Sequence, residues 1–159
     1  MQYSLIDLLQ EDHIIIGLEA SNAKQVIESL NQVLVKSQHT TAKFAEDVWE
    51  REQRFPTGLP TQPVAVAIPH ADPDHVLSSA VSLGVLAKPV KFAQMGTDDN
   101  TQLKISIVIL LAIKEVEKQV EVIQQLMLLI QSPDLLKNLL KASNRHEALC
   151  LIQRELERE

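Results

Sequence analysis

His70 follows Pro69 at the end of an apolar run, in the stretch Pro63-Val64-Ala65-Val66-Ala67-Ile68-Pro69-His70-Ala71-Asp72. Short continuous apolar runs are the pattern of buried strands. Pro69 lacks a backbone donor and pushes Ile68 toward an extended conformation. The chain therefore delivers His70 to the end of a core strand, facing a loop. An imidazole there has three readings. It can be a satisfied loop histidine. With Asp72, Asp74 and His75 it can hold a divalent cation, since these side chains are cation ligands. It can also act as a nucleophile, because a neutral imidazole can form a covalent phosphoryl intermediate. The spacing His-x-Asp-x-Asp-His matches no familiar ligand pattern, so no metal is expected.

Phosphoryl transfer to an imidazole needs cationic help, since charge spreads over the phosphoryl oxygens. Arg51 is the candidate. It lies seven residues after Phe44 and three after Val48, continuing the apolar stripe of a helix expected over 41–52. Arg54 sits where that helix gives way to a loop. The loop, Phe55-Pro56-Thr57-Gly58-Leu59-Pro60-Thr61-Gln62-Pro63, offers backbone donors at Thr57 and Gly58 that could cradle an anion. Rival chemistries are thin. The four glycines build neither a phosphate-binding P-loop nor a dinucleotide fingerprint. There is no nucleophile elbow, and the single cysteine, Cys150, falls in a helical pattern beside Leu149, Leu151 and Ile152. A buried, inert thiol is expected there. No cofactor is implied.

The elements that must position these residues are legible as periodicities. Strands are expected over 13–16, 64–68, 81–86 and 103–112, with a short extended piece at 89–92. Ala23, Val26, Ile27, Leu30 and Leu34 mark a helix from Ser21 or Asn22 to about Lys36. After the last strand, Val116, Val120, Ile123, Met127 and Ile130 define one apolar helical face. Ser132-Pro133-Asp134 and Asn144-Arg145-His146-Glu147 open two more helices. The order predicts an α/β fold: a mixed sheet of about five strands flanked by helices on both faces. At 159 residues the expectation is one domain, 1–159. Among the other histidines, His13 is expected as a half-buried edge residue, and His39 and His146 on the surface.

Net charge is −6 with a pI near 5.4, which argues against nucleic-acid or anionic-membrane binding. The amino-terminal residues lack a basic segment followed by a long apolar run, and the longest apolar run, 107–113, is too short to span a bilayer. A cytoplasmic protein without membrane insertion is expected.

Arg51-Glu52-x-x-x-Pro56-Thr57-Gly58-Leu59 followed by Val66-Ala67-Ile68-Pro69-His70-Ala71 resembles the active-site signature of the fructose/mannitol-type enzyme IIA domains of the bacterial sugar phosphotransferase system. The resemblance extends over nearly the whole chain. It implies that the phosphocarrier HPr donates a phosphoryl group to His70. His70 would then pass it to a cysteine of a IIB component while a membrane IIC permease imports the sugar. By the same resemblance, His70 is the phosphoryl acceptor, on either imidazole nitrogen, and Arg51 stabilises the phosphohistidine. Thr57 matches the threonine that lines the site, and Glu52 the acid beside the arginine. Mannitol-type members carry a second histidine where this chain has Gln119, and an amide supplies neither proton nor charge. With the longer proline-rich loop, this resembles the galactitol-type branch. A IIA-like regulatory module, whose phosphorylation controls a partner protein, is the alternative that the same histidine would serve.

Overall fold

The computed structural model describes residues 4–97 and 101–158. Five strands form one sheet in the order β1-β4-β5-β3-β2: β1 Leu9–Leu18, β2 Gly58–Leu59, β3 Ala65–Ala67, β4 Ala80–Ala93 and β5 Gln102–Ala112. The β1–β4 and β3–β5 pairs are parallel, and β4–β5 and β2–β3 are antiparallel. This is the mixed sheet expected from the sequence. Its two central strands are apolar on both faces, as a sheet covered on both sides requires. Along β5, Ile107, Ile109 and Leu111 enter one core, while Val108, Leu110 and Ala112 enter the other. The two-residue period of a strand makes this division.

Helices α2 (Ala23–Lys36) and α3 (Lys43–Arg54) cover one face, through Val26, Ile27, Leu30, Leu34, Phe44 and Val48. The other face carries the short α1 (Leu5–Leu8), with α4 (Val116–Leu129), α5 (Pro133–Lys141) and α6 (Arg145–Glu157). Caps fix three of these helices where the sequence places them. Asn22 accepts from the Gln25 amide, Ser132 from Leu135 and Asn144 from Glu147.

Several expectations change. The segments 81–86 and 89–92 form one strand, β4, whose register against β5 jumps between Val85 and Val90. Pro89 lies in that irregularity, where its missing donor costs no ladder bond. β1 is longer than 13–16 because its polar residues 10–12 lie at the sheet's edge. His13 is buried on it, with Nε2 3.2 Å from Ser37 Oγ and its ring edge-on to His39. Cys150 is half-buried rather than enclosed, with Sγ 3.7 Å from His146 Nε2, and His146 Nδ1 lies 2.7 Å from Glu11. On α4 the buried residues are Val122, Leu126 and Leu129, whereas Val116 and Val120 are each 58% exposed. The helix is turned from the face that its first valines suggest, with Val122, Leu126 and Leu129 in the core shared with the sheet.

The loop before β3 holds an unexpected two-residue strand. β2 pairs with β3, and its Gly58 carbonyl accepts from the Met95 amide at 2.8 Å. A Cβ on Gly58 would stand 2.6 Å from the Ala93 carbonyl oxygen, so the close approach demands glycine.

Candidate active site

β3 ends at Ala67, and Ile68 and Pro69 carry the chain past the sheet edge to His70. His70 stays registered. The Leu111 amide of β5 donates to the Pro69 carbonyl at 3.1 Å, and His70 bridges Leu111 in parallel sense. The imidazole itself is fixed by the Ile68 carbonyl, 2.8 Å from Nδ1. A carbonyl only accepts, so Nδ1 carries the proton and the neutral ring keeps its lone pair on Nε2. Burial pushes the His70 pKa below its ordinary value, and the nearby Arg51 charge pushes the same way. The Ile68 bond and Asp72 oppose them without overturning the result. The ring is therefore a neutral base at neutral pH, which is the form that can attack an electrophile.

Arg51 lies on the last turn of α3, half-buried, with its guanidinium carbon 5.2 Å from the centroid of the Phe55 ring. Its Nε is buried and has no hydrogen-bond partner. The other basic groups nearby are taken. Arg54 pairs with Glu50 at 2.5 Å, and His75 pairs with Asp47. A cavity of about 210 Å³ opens next to His70, lined by Asp47, Glu50, Arg51, Arg54, Phe55, Ala71, Asp72 and Asp74. Arg51 is its one basic side chain without an ion-pair partner among the described residues. An unpaired guanidinium within electrostatic reach of a neutral imidazole suits an incoming dianion, whose oxygens match the guanidinium fork.

Glu52 rather than Arg51 is the residue that continues the Phe44–Val48 stripe inward, at 5% exposure. Four residues separate it from Val48, so it falls on the same helical face. Its two carboxylate oxygens accept from Thr57, one from the amide and one from the hydroxyl, each at 2.8 Å. Burial raises its pKa to about 7, with the Thr57 bonds and Arg51 opposing. Thr57, 3% exposed, is thus turned into the protein, and its hydroxyl oxygen accepts from the Ile68 amide at 3.2 Å. This corrects the expected anion cradle of Thr57 and Gly58 donors, because the Thr57 amide and hydroxyl are both spent on Glu52. Gln119 lies on the first turn of α4, half-buried, and its side chain makes no hydrogen bond among the described residues. The cation-ligand reading loses His75 to Asp47. Sequence reasoning missed that pairing and the inward turn of Glu52. The first was beyond local pattern, and the second was available from the four-residue spacing.

Residues 7–155 match the family described as "Phosphoenolpyruvate-dependent sugar phosphotransferase system, EIIA 2". The chain belongs to this family. Its members are phosphotransferases that carry phosphoryl groups between proteins, and this chain is a IIA component of that system. It is 34% identical over 130 residues to the galactitol-specific EIIA component of Escherichia coli strain K12, covering 78% of this chain and 81% of that one. Its fold matches a phosphotransferase IIA domain from Streptococcus pyogenes M1 GAS, with a TM-score of 0.80 at 21% identity over 97% of this chain and 98% of that one. It also matches the E. coli mannitol IIA solved in complex with phosphorylated IIB, with a TM-score of 0.74 at 22% identity over 92% and 99% of the two chains.

Proposed function

We propose that this IIA component takes a phosphoryl group from phospho-HPr onto His70 Nε2 and hands it to the cysteine of a IIB partner, in the uptake of galactitol or a related polyol. The observation that carries the reading is the His70 tautomer: Nδ1–H is committed to the Ile68 carbonyl, leaving the lone pair on Nε2. In the first step the Nε2–P bond forms as the bond from phosphorus to its carrier on HPr breaks. In the second, the IIB cysteine sulfur attacks phosphorus and Nε2 departs with the electron pair, which regenerates the neutral ring. The unpaired Arg51 guanidinium offsets the phosphoryl charge in both steps. Gln119 stands in for the second histidine of mannitol-type members, offering at most an amide hydrogen bond.

Identity to a galactitol-specific component supports the substrate branch. The mannitol IIA–IIB complex supports a IIB acceptor. Sugar specificity resides in the IIB and IIC partners, because a IIA component handles the phosphoryl group rather than the sugar. Among the described residues no helix is long and apolar enough to cross a membrane. The component's proposed place, at the cytoplasmic side of a IIC permease, follows from its exchange of phosphoryl groups with HPr and IIB.

The test is transfer from phosphoenolpyruvate through enzyme I and HPr to the purified chain, then to a galactitol-type IIB. Label on wild type, none on His70→Ala, and onward passage to the IIB cysteine support the reading. Equal labelling of His70→Ala overturns the acceptor. Label that stays on His70 beside a competent IIB overturns the transport role in favour of regulation.

A further inference from the structure

Four residues form one hydrogen-bonded chain that ends on the nucleophile. Glu52 accepts the Thr57 hydroxyl proton, so Thr57 Oγ1 presents only lone pairs to the Ile68 amide, 3.2 Å away. The carbonyl of the same Ile68 then receives His70 Nδ1–H. We propose that Glu52 and Thr57 are positioning residues for His70: the carboxylate sets the direction of the Thr57 hydroxyl, the hydroxyl holds Ile68, and Ile68 holds the ring with Nε2 free. This rests on His70 being the phosphoryl acceptor.

The local backbone explains why such a hold is needed. Ile68 lies beyond the end of β3, so its amide donates to the Thr57 side chain rather than to a ladder carbonyl. The Ile68–Pro69 peptide has no N–H of its own to anchor it. Pro69 and His70 are held to β5 from one side only, through Leu111. Thr57 supplies the restraint on the other side.

The choice of a carboxylate points the same way. An amide at position 52 could accept from the Thr57 N–H equally well. Its NH₂ group would also donate to Oγ1, leaving the hydroxyl proton free to turn toward Ile68. Only a carboxylate accepts at both oxygens and so forces the hydroxyl to point one way. Charge is costly to bury, and Glu52 makes both of its hydrogen bonds to Thr57 rather than to a cation. A carboxylate serving only to close the loop would be replaceable by an amide.

Variants Thr57→Val, Thr57→Ser and Glu52→Gln of the full chain separate positioning from mere structure. At pH 8.5, above the pKa of about 7 that burial gives Glu52 so that the carboxylate is ionised, the His70 ring nitrogens are read by long-range ¹H–¹⁵N NMR and acceptance from phospho-HPr by rapid quench. Wild type shows a single Nδ1–H tautomer. Thr57→Val gives a tautomer mixture and accepts phosphate on the order of 10- to 100-fold more slowly, the scale of a misplaced reacting group. Thr57→Ser restores both. A folded Thr57→Val with wild-type tautomer and rate overturns the proposal. Should Thr57→Val not fold, Glu52→Gln decides: a mixed tautomer upholds the chain of positioning, and an unchanged one refutes it. If Thr57→Val releases the tautomer but wild type takes no phosphate from HPr, the acceptor reading falls and the positioning stands.

Discussion

Replacing Glu52 by Gln should change how stability depends on pH, by an amount the buried carboxyl sets. Its pKa is about 7 in the folded protein against 4.5 for an ordinary glutamate. Between those values the folded chain binds a proton that the unfolded chain has released. Stability therefore falls as pH rises from 4.5 to 7, and levels off above. The gap between those two values is worth about 3 kcal/mol in full, most of it falling between pH 5 and pH 8. His13 and His70 act with the opposite sign, since their pKa values are lowered mainly by burial and they lose stability as pH falls. Subtracting the Glu52→Gln curve from its parent, both on a His70→Ala background, removes both. The assay is urea unfolding of the two proteins at pH 5, 6, 7 and 8, at low micromolar protein because the pI is near 5.4. The difference in unfolding free energy should move by about 2–3 kcal/mol against that parent across that range. Parallel curves would mean that Glu52 is ionised throughout, and the account of its burial would be wrong.

Other substitutions test the site piece by piece. Arg51→Lys keeps a charge but loses the planar fork, and should slow phosphoryl acceptance roughly tenfold in single-turnover quench experiments; an unchanged rate removes Arg51 from the site. Because burial and Arg51 lower the His70 pKa, acceptance at saturating phospho-HPr should stay level as pH drops through 6.5, the ordinary imidazole value. A half-loss of rate at that pH would show an unperturbed ring. Gly58→Ala places a methyl 2.6 Å from the Ala93 carbonyl oxygen, and should cost about 1–3 kcal/mol by urea unfolding. No loss would mean that the β2 contact is dispensable.

The sheet was readable because its central strands are short apolar runs with few competing interpretations. Val108 and Ile109 are both buried, on opposite faces, so β5 shows no alternation and still reads as a strand. His70 was readable because Pro69 stops the run one residue before it. What stayed hidden depends on contacts distant in sequence. β2 exists because Gly58 lies against Ala93, which nothing in the local loop composition announces. α4 packs through Val122, Leu126 and Leu129, so Val116 and Val120 share the spacing of a buried face while standing in solvent. The Pro-, Thr- and Gly-rich loop suggests backbone donors of Thr57 and Gly58 open to an anion; the buried Glu52 takes the Thr57 amide and hydroxyl instead. Arg51 and Glu52 are adjacent, and the three- and four-residue spacings from Val48 are both helical neighbours. Choosing which of them faces the core needed the structure.

The central claim is that His70 carries the phosphoryl group on Nε2. ¹⁵N and ³¹P NMR of the ¹⁵N-histidine-labelled chain, phosphorylated through phosphoenolpyruvate, enzyme I and HPr, reads the modified nitrogen directly. The account predicts one adduct, at His70 Nε2, with Nδ1–H still bonded to the Ile68 carbonyl. Phosphorus on Nδ1, on another residue, or nowhere would contradict it.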